Sequence, residues 1–586
     1  MSKVKLTIDN RPVEVEAGMT ILEAARTAGI KIPTLCAWPE IHHTPGACRV
    51  CMTEVEGQRS LIAACVFPVS EGMVIHTNTE KVRQARKMVV ELLLADHPQE
   101  CNFCVRNGSC ELQKVAEFVG LKEVRFEQTQ FPKEGMIDRS SPSVVRDSRK
   151  CIECHRCVTV CEQVQTVSVL TPANRGSKVK VVPAFDLPLL ESNCVACGQC
   201  ILACPVGALY EKDDVDEVWK ALQDPAKHVI VQEAPAIRAA LGEEFGMPPG
   251  SLVTGKMIAA LRRLGFDKVF DTNFTADLTI IEEGNELLKR VKTGGTLPMI
   301  TSCSPGWIKF CEHFYPDLLP HLSTCKSPQQ MFGALAKTYY AKISGIDPKD
   351  IVSVSIMPCT AKKFEAQRPE MNSSGFRDVD YVLTTRELGR MIKEAGIDFE
   401  NLPEEDYDAP MGEYTGAGTI FGATGGVMEA ALRTVYAVVT GANLPSLDIT
   451  PVRGLEGVKE ATVKVGPLGD VKVAVAHGLG NARKLMDKIR EGKADYVFIE
   501  VMCCPGGCVS GGGEPIPTNN DIRIKRSSAL YQDDGKVQKK RQSHENESVQ
   551  KLYKNFLKEP LGHKSHELLH TKYTPRGTEL PHRKDE

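Results

Sequence analysis

Two groups of four cysteines with the same spacing constrain this chain more than any other feature of its sequence. Residues 151–161 and residues 194–204 each follow the pattern C-x2-C-x2-C-x3-C, and a proline follows the second group. This run is the ligand pattern of paired [4Fe–4S] clusters, in which the fourth cysteine of each run binds the other cluster. A single zinc ion cannot use eight thiolates, and two zinc sites would not require a paired repeat. The predicted ligand sets are Cys151, Cys154, Cys157 and Cys204 for one cube, and Cys194, Cys197, Cys200 and Cys161 for the other.

The remaining cysteines also indicate metal binding rather than a secreted disulfide scaffold. The chain has 586 residues and 22 cysteines, most of them in tight groups, and its first residues lack the apolar segment of an export signal. Such groups without an export signal favour metal. Several domains are expected, because single cores rarely exceed about 250–300 residues. The net charge of -3 gives no reason to expect nucleic acid as a partner, and no apolar run is long enough for a membrane span.

Residues 1–78 are predicted to form a small β-rich domain that binds a [2Fe–2S] cluster. Apolar residues alternate on both sides of Asp9 and Asn10, which is typical of a β-hairpin, and Thr20 can cap a short helix over residues 21–28. Four cysteines follow with the spacing C-x11-C-x2-C-x13-C. Four thiolates suit a [2Fe–2S] cluster, and the small β-rich setting suits a β-grasp, ferredoxin-like fold. The spacing departs from the plant-type C-x4-C-x2-C pattern and resembles that of the N-terminal cluster in the large peripheral subunit of respiratory complex I. A structural zinc ion is the alternative, because four-cysteine sites also bind zinc. These cysteines are Cys36, Cys48, Cys51 and Cys65.

Residues 79–118 are predicted to hold a cluster with one histidine ligand. An amphipathic helix pattern over residues 80–95 is followed by a histidine and then by three cysteines. A single histidine is usually a surface or capping residue, but these three cysteines lack a fourth partner, and a neutral imidazole can complete the set. Replacing one thiolate with imidazole removes negative charge and raises the reduction potential of the cluster. The expected ligands of this [4Fe–4S] cluster are His97, Cys101, Cys104 and Cys110.

Residues 225–522 are predicted to form an α/β domain with largely parallel strands, because apolar strands alternate there with helical patterns. Three of these strands, over residues 297–301, 351–357 and 496–502, run directly into turns that carry cysteine. Open α/β sheets bind ligands at the carboxyl ends of their strands, so these thiols are expected to meet at one site. Converging thiolates suit an iron–sulfur centre. The cysteines of the three turns are Cys303, Cys359, Cys503, Cys504 and Cys508.

The three cysteine loops, in this order, resemble the signature loops of the iron-only ([FeFe]) hydrogenases. The resemblance implies reversible conversion of H2 to two protons and two electrons by a two-lobed domain. Between its lobes lies the H-cluster, a [4Fe–4S] cube joined through one cysteine to a di-iron unit with CO, CN and a dithiolate bridge. The whole chain is similar to the long, cytoplasmic, modular members, with a bacterial 2[4Fe–4S] ferredoxin domain over residues 140–215. Residues 523–586 resemble the small subunit of the periplasmic members and are expected to form a belt on the catalytic domain, with surface histidines. The alternative for this segment is a solvated, partly disordered tail.

The resemblance implies three ligands of the cube of the H-cluster: Cys359, Cys504 and Cys508, the last as the bridge to the di-iron unit. The first loop departs from the family, which has two adjacent cysteines where this chain has Cys303 followed by Ser304. The preference of iron–sulfur sites for thiolate favours Cys303 as the fourth ligand. The register of the loop favours Ser304 and leaves Cys303 as a proton shuttle. Cys503, where the family has a small residue, could supply the missing thiol in either role.

A proton path is also implied by the resemblance. Glu283 and Glu286 lie three residues apart in a helical pattern over residues 276–291, so they share one face. With Ser323 and the Cys303 thiol they match the proton relay of the family. Burial can raise a carboxyl pKa into a range that suits proton transfer, whereas glutamates in such a pattern are more often exposed.

The remaining implied site residues contact the cofactor. Lys362 is expected to donate a hydrogen bond to a cyanide ligand, and the glycine-rich segment 416–426 is expected to bring its backbone close to the cofactor. Ala236 stands where many members have serine, so any contact there must come from the backbone. The implied contact residues are Met357, Met502, Phe421, Pro328, Gln329 and Ala236.

The main functional hypothesis is a catalytic subunit that passes electrons through one [2Fe–2S] and three [4Fe–4S] accessory clusters to a flavoprotein that reduces NAD(P). Similarity of the N-terminal segments to the large peripheral subunit of respiratory complex I implies this partner, with small [2Fe–2S] subunits in a cytoplasmic, anaerobic heteromultimer. Ferredoxin is a further candidate partner. The alternatives are a stand-alone ferredoxin-dependent hydrogenase, a non-catalytic electron-wire subunit and an H2 sensor. A wire needs no cysteine in the three loops, and a sensor would carry a regulatory domain, of which the sequence shows none.

Overall fold

The computed structural model describes residues 2–129 and 136–579, which form two compact units. The first comprises the residues up to Val164 together with Ser168–Ser192 and Cys200–Tyr210. The second comprises Gln165–Val167, Asn193–Gln199 and the residues from Glu211 onward. The predicted domain over residues 140–215 thus contributes residues to both units. None of the helices in the described ranges combines the length and apolarity that a membrane span requires.

The first unit begins with a five-stranded sheet and one helix that packs on it. These elements are β1 (Lys3–Ile8), β2 (Arg11–Glu16), α1 (Ile21–Thr27), β3 (Met52–Val55), β4 (Ile62–Ala63) and β5 (Val74–His76). The strand order is β2-β1-β5-β3-β4, and the predicted hairpin is confirmed because β1 and β2 pair antiparallel. The predicted cap of α1 is also present: the Thr20 hydroxyl accepts a hydrogen bond from the Glu23 amide, and the Glu23 carboxylate accepts one from the Thr20 amide.

Shorter elements follow along the chain as far as residue 211. They are α2 (Glu80–Ala95), α3 (Glu111–Phe118), β6 (Ile137–Asp138), β7 (Val144–Asp147), α4 (Arg156–Thr159), β8 (Thr171–Ala173), β9 (Lys180–Val182), α5 (Gln199–Ala203) and β10 (Leu209–Glu211). The helix predicted over residues 80–95 is confirmed, and the Thr79 hydroxyl caps it by accepting a hydrogen bond from the Val82 amide. Strands β6 and β7 pair antiparallel, as do β8 and β9.

The second unit contains two four-stranded sheets. Their strands are β11 (His228–Glu233), β12 (Lys268–Asp271), β13 (Met299–Ile300), β14 (Ile351–Met357), β15 (Tyr381–Thr384), β16 (Val458–Lys464), β17 (Asp470–His477) and β18 (Phe498–Met502). One sheet has the order β12-β11-β14-β15 and is entirely parallel. The other has the order β13-β18-β17-β16, in which only the β16–β17 pair is antiparallel. The predicted α/β pattern is therefore confirmed, although β13 is shorter than residues 297–301.

Helices surround these sheets. They are α6 (Val215–Gln223), α7 (Ile237–Ala240), α8 (Thr254–Leu264), α9 (Thr272–Thr293), α10 (Pro305–Phe314), α11 (Pro328–Leu335), α12 (Ala341–Ser344), α13 (Ala361–Ala366), α14 (Thr385–Glu394), α15 (Gly416–Thr419), α16 (Gly426–Thr440), α17 (Leu479–Arg490), α18 (Asn520–Gln532), α19 (Glu547–Leu552) and α20 (His563–Leu569). Helix α9 is longer than the pattern over residues 276–291 predicts, because the Asp271 carboxylate caps it early by accepting a hydrogen bond from the Asn273 amide. It packs between α11 and α16.

The C-terminal tail packs on the preceding part of the second unit, as predicted for a belt. Its apolar residues enter one buried cluster with Phe270 and Met331 of the same unit. These residues are Val549, Leu552, Tyr553, Phe556, Leu557, Leu568 and Leu569. The expectation that its histidines lie at the surface holds for His563 and His566 but is wrong for His570, which is buried. Residues 580–586 of the predicted tail lie outside the described residues.

Candidate active site and cluster sites

The three cysteine loops of the second unit meet at one cavity. They follow β13, β14 and β18 and surround a space of about 730 Å³ that is free of protein atoms. Every cofactor contact implied by the sequence lines this space except Ala236. The predicted residues that line it are Cys303, Ser304, Pro328, Gln329, Met357, Cys359, Lys362, Phe421, Met502, Cys503, Cys504 and Cys508.

The lining of this cavity fits an iron–sulfur cofactor. Burial raises the pKa of the Cys359 thiol to about 12 and also raises the pKa of the Cys508 thiol. Such thiols keep their protons at neutral pH unless a metal cation binds, because coordination deprotonates a thiol. Gly511 lets the third loop fold closely beside them, since a Cβ there would lie 2.1 Å from the Pro358 carbonyl oxygen. The donor set and the close-packed loop therefore suit a bulky cluster held by thiolates.

Cys303 faces the predicted proton path. The pKa of its thiol is raised well above the usual value, first by burial and then by the neighbouring Glu283 carboxylate. Its carbonyl oxygen accepts a hydrogen bond of 3.1 Å from the Lys362 ammonium. Cys303 therefore lines the cavity and also interacts electrostatically with Glu283, so both roles predicted for it remain predictions.

Ser304 and Cys503 contact each other on the opposite side of the first loop. The Ser304 hydroxyl accepts a hydrogen bond of 3.2 Å from the Cys503 amide. The Cys503 thiol is within hydrogen-bonding range of the thiols of Cys504 and Cys197. Gly306 leaves room for this thiol, because a Cβ there would lie 2.7 Å from the Cys503 sulfur. A third thiol of the third loop thus lies directly beside a predicted ligand of the cube.

Polar groups are few around the cavity. Lys362 is buried and donates a hydrogen bond of 2.9 Å to the Glu365 carboxylate. Gln329 donates hydrogen bonds to the Lys362 carbonyl oxygen and to Glu365, while its own side-chain oxygen is buried without a partner. One ammonium group therefore lines a site whose other walls are mainly thiols, methionine, proline and phenylalanine.

Two implied contacts do not reach the cavity. Ala236 lies in a small apolar cluster with Val509 and Leu530, whereas Ala234 and Pro235 line the cavity in its place. The expectation that the glycine-rich segment 416–426 brings its backbone to the cofactor is wrong for its glycines. A Cβ at any of these glycines would meet protein atoms, and at Gly426 it would lie 1.7 Å from the Ile420 carbonyl oxygen. Within the segment only Phe421 lines the cavity.

The carboxyl groups of the predicted proton path are buried on α9. Burial, and then the charge of Glu286, raise the pKa of Glu283 to about 8. The Ser323 hydroxyl donates a hydrogen bond of 3.0 Å to Glu286, and its interaction with Glu283 lowers the pKa of Glu283, though by less than burial raises it. Glu286 in turn pairs with the Arg290 guanidinium at 2.6 Å. The structure therefore brings together Cys303, Glu283, Ser323 and Glu286, and the solvated-helix interpretation of the two glutamates is wrong.

The four N-terminal cysteines also come together in the first unit. The Cys36 thiol is within hydrogen-bonding range of Cys48 and Cys65, and the Cys51 thiol is within range of Cys65. All four are buried. Four buried thiols in one group fit the predicted [2Fe–2S] cluster, and a tetrahedral zinc site would use the same set.

His97 has the properties of a metal ligand. It is 7% exposed, and its Nδ1 atom is buried without a hydrogen-bond partner. Burial, and then the charge of Lys150, lower its pKa to about 4, so the imidazole is neutral at pH 7 and can donate a lone pair. An unpaired buried nitrogen next to a run of three cysteines fits the predicted mixed ligand set.

One of the two predicted ferredoxin cubes has its four cysteines in a single unit. Cys151, Cys154, Cys157 and Cys204 line one cavity of about 470 Å³ in the first unit. The fourth cysteine thus comes from the other run, as the pattern predicts. Of the second set, Cys194 and Cys197 belong to the second unit, and Cys161 and Cys200 belong to the first. Their ligand role stays a prediction.

Sequence reasoning missed several residues around the active site. Thr272 and Ala276 line the cavity from the first turns of α9, and Pro235 lines it from the end of β11. Their positions at the carboxyl ends of strands were the available signal, because ligands bind there in α/β sheets. His570 of the tail contacts the Glu282 and Thr324 side chains, and nothing in its sequence surroundings indicates this.

Comparisons with known proteins agree with this arrangement along the whole chain. Residues 227–512 match the C-terminal domain of the iron-only hydrogenase large subunit, and residues 520–576 match the iron hydrogenase small subunit. The segments before them match a 2Fe-2S cluster binding domain (residues 1–80), a NADH-ubiquinone oxidoreductase-G iron-sulfur binding region (residues 86–125) and a 4Fe-4S dicluster domain (residues 150–208).

Individual relatives match over nearly their full length. The NADP-reducing hydrogenase subunit HndD of Solidesulfovibrio fructosivorans is 51% identical, over 98% of this chain and 100% of the relative. Iron hydrogenase 1 of Clostridium pasteurianum is 45% identical, over 94% of this chain and 97% of the relative. Among solved structures, an apo form of the [FeFe]-hydrogenase HydA1 from Chlamydomonas reinhardtii is 48% identical, covers 62% of this chain and 100% of its own, and has a TM-score of 0.56.

The cysteine-lined cavity and its fold thus define an iron–sulfur oxidoreductase. The chain belongs to the iron-only ([FeFe]) hydrogenase family. The expected enzyme class is confirmed: it is a hydrogenase catalytic subunit with [2Fe–2S] and [4Fe–4S] domains in addition to the H-cluster domain.

Proposed function

We propose that this hydrogenase is the hydrogen-activating subunit of a cytoplasmic complex whose flavin-bearing partner reduces NADP. The observation that carries the proposal is the 51% identity, over 98% of the chain, to an NADP-reducing hydrogenase subunit. The match of residues 86–125 to a NADH-ubiquinone oxidoreductase region supports a partner of that kind. The spacing of the glycine-rich segment 416–426 fits neither a Walker motif nor a strand-borne dinucleotide fingerprint. Nucleotide chemistry is therefore assigned to the partner, which acts with small [2Fe–2S] subunits.

Four thiolates would hold the cube of the H-cluster. Cys359, Cys504 and Cys508 line the cavity from two loops, and Cys508 would bridge to the di-iron unit. For the fourth position, the thiol of Cys503 beside Cys504 is a softer donor than the hydroxyl of Ser304. Since Cys303 interacts electrostatically with Glu283, we assign the fourth ligand to Cys503 and the proton role to Cys303. The ligand role predicted for Cys303 is the competing assignment.

Proton transfer would use side chains of this chain alone. The bound H-cluster supplies the iron centre at which H2 is cleaved heterolytically. A proton would then pass to the Cys303 thiol, to the Glu283 carboxyl group, and through the Ser323 hydroxyl to Glu286. The raised pKa of Glu283, about 8, keeps this group close to the pH at which it works, which suits general acid–base catalysis. Lys362 would hold a cyanide ligand by a hydrogen bond.

Electrons would leave through the accessory clusters toward the partner. The proposed ligand sets are the four N-terminal cysteines, the set completed by His97, and the two sets of the ferredoxin repeat. The neutral imidazole of His97 would raise the potential of its cluster relative to an all-cysteine one. In a complex that also binds ferredoxin, ferredoxin would be a second acceptor of these electrons.

The purified chain is expected to oxidise H2 with an artificial viologen acceptor but not to reduce NADP⁺ by itself. Since the nucleotide site is assigned to the partner, NADP⁺ reduction should begin only when the flavin-bearing subunit is added. The measurement is absorbance of reduced viologen and of NADPH under H2, with and without that subunit. NADPH formation by the chain alone would contradict the assignment of the nucleotide site to the partner. Absence of viologen reduction by H-cluster-loaded protein would contradict the proposed hydrogenase activity.

A further inference from the structure

The small-subunit-like tail carries a histidine that continues the proton path proposed above. We propose that protons leave Glu286 through the Thr324 hydroxyl to His570 of the tail, and pass from His570 by way of His566 to solvent. This inference depends on the proposed function, because it extends that path outward. It gives the tail a role in turnover besides packing.

A continuous series of contacts connects Glu286 to the tail. The Thr324 hydroxyl lies 3.2 Å from a Glu286 carboxylate oxygen and 2.8 Å from Nδ1 of His570. Nε2 of His570 lies 3.3 Å from a Glu282 carboxylate oxygen. The His570 and His566 rings are 4.3 Å apart between centroids, and His566 is exposed. The series therefore runs from a buried carboxyl group to the surface.

The backbone fixes His570 in this position. The Lys326 amide donates a hydrogen bond of 2.8 Å to the Leu569 carbonyl oxygen, and the Thr571 amide donates one of 2.8 Å to the Thr324 carbonyl oxygen. These bonds pair the tail with the strand-like segment that carries Thr324, on both sides of His570. The Tyr573 hydroxyl adds a bond of 2.6 Å to the Ser323 carbonyl oxygen. The ring is thus held beside Thr324 by the fold and not by its own contacts alone.

The proposed path needs one tautomer of His570. In that tautomer Nε2–H donates a hydrogen bond to the Glu282 carboxylate, and Nδ1 presents its lone pair to the Thr324 hydroxyl. As Glu286 gives its proton to the Thr324 oxygen, the Thr324 hydroxyl proton passes to Nδ1, and Glu282 stabilises the imidazolium that forms. The imidazolium then releases a proton to His566 and water. The titratable groups next to His570 are Glu282 and Glu286 from α9, Cys325 beside Thr324, and His566 from the tail. Two tyrosines of the tail lie one contact further away: Tyr553 donates a hydrogen bond to Glu282, and Tyr573 interacts with Glu286 and Cys325.

Arg290, the other side chain bound to the outer side of Glu286, is a poor exit. A guanidinium has five donors and no acceptor, and it stays protonated in proteins. Arg290 also donates hydrogen bonds to the carbonyl oxygens of Pro320 and Leu322, so it is anchored in place. It holds Glu286 in place by a hydrogen bond of 2.6 Å without carrying a proton, which leaves Thr324 as the relay.

The test compares paired substitutions in the full-length, H-cluster-loaded protein. His570→Gln and Thr324→Val should each lower H2 oxidation with viologen by about 10-fold or more, since a positioned proton carrier is typically worth 10²–10⁴-fold. Both should raise the solvent deuterium isotope effect and leave the infrared bands and iron content unchanged. Thr324→Ser keeps the hydroxyl and should keep the rate. His563→Gln, at an exposed tail histidine outside the path, is the matched control, and added imidazole should restore turnover to His570→Ala.

Two results would overturn the inference. If His570→Gln and Thr324→Val both keep the wild-type rate and isotope effect while Glu283→Gln loses turnover, protons leave by another route and the proposed function stands. If Glu283→Gln also keeps its turnover, the inner path fails, and this extension fails with it. If His570→Gln disrupts the packing of the tail and loses its infrared bands, its turnover is not informative. The near-isosteric Thr324→Val then provides the test: a wild-type rate overturns the inference, and a lowered rate with unchanged infrared bands supports it.

Discussion

Replacing Glu283 by glutamine is expected to lower H2 turnover by about 10²–10⁴-fold while every cluster signal remains. Glutamine keeps the size and much of the hydrogen bonding of the carboxyl group but cannot carry a proton between Cys303 and Ser323. The pKa of Glu283 is raised to about 8, so the carboxyl group is protonated at pH 7 and loses its proton as the pH rises through that value. The pH profile of the wild type should show this ionisation, and that of the variant should not.

A control at Glu514 separates loss of the path from loss of a buried carboxyl group. Glu514 is also fully buried, burial also raises its pKa to about 8, and it accepts a hydrogen bond from Thr385 away from the proposed path. Glu514→Gln should therefore keep every cluster signal and the wild-type turnover. The proton path is wrong if Glu283→Gln evolves hydrogen at the wild-type rate with an artificial electron donor.

Replacing Cys503 by alanine is expected to remove the cube of the H-cluster and, with it, the di-iron unit attached to it. The Cys503 thiol lies beside Cys504. The first-loop residue that contacts Cys503 is Ser304, whose hydroxyl is a weaker iron ligand than a thiolate. Fully loaded protein should contain about twenty irons, and this variant about six fewer. Iron analysis and infrared spectroscopy measure both changes. Cys303→Ala should keep the iron and the infrared bands but lose turnover, because its thiol faces Glu283.

Cys311 provides the matched control for these cysteine substitutions. It is a fully buried cysteine outside all proposed ligand sets, and its thiol donates a hydrogen bond to the Tyr315 carbonyl oxygen. Cys311→Ala should keep all the iron. The opposite pattern, with iron lost in Cys303→Ala and retained in Cys503→Ala, would show that Cys303 is the fourth ligand and would contradict the present assignment.

Many residues that line the cavity could be predicted, because each ligand cysteine lies within a few residues of the strand that positions it. Each of the three loops follows an apolar strand directly, so parallel pairing brings their thiols to one edge without further information. Cysteine spacing likewise predicts the set around Cys36, and the repeated pattern predicts that the set around Cys151 takes its fourth ligand, Cys204, from the other run. The signal for the buried state of Glu283 came only from the family resemblance, since a glutamate pair on a helix is more often exposed.

The positions that sequence reasoning missed depend on long-range packing. His570 lies 246 residues from the threonine that it contacts, and only the folding of the tail onto the catalytic region brings them together. Ala236 follows β11 as predicted for a cavity residue, but α7 begins there and turns its side chain into an apolar cluster. The glycines of segment 416–426 serve close packing against protein, and a glycine pattern alone does not tell a protein neighbour from a cofactor.

Infrared spectroscopy of the H-cluster-loaded protein tests the central claim most directly. CO and CN ligands of the di-iron unit give stretching bands in a region where protein groups do not absorb strongly. The cavity formed by the three cysteine loops predicts such bands in the wild type, and their loss when Cys508, the proposed bridge, is replaced by alanine. Wild-type protein with its full iron content but without these bands, or a Cys508→Ala variant that keeps them, would contradict the account.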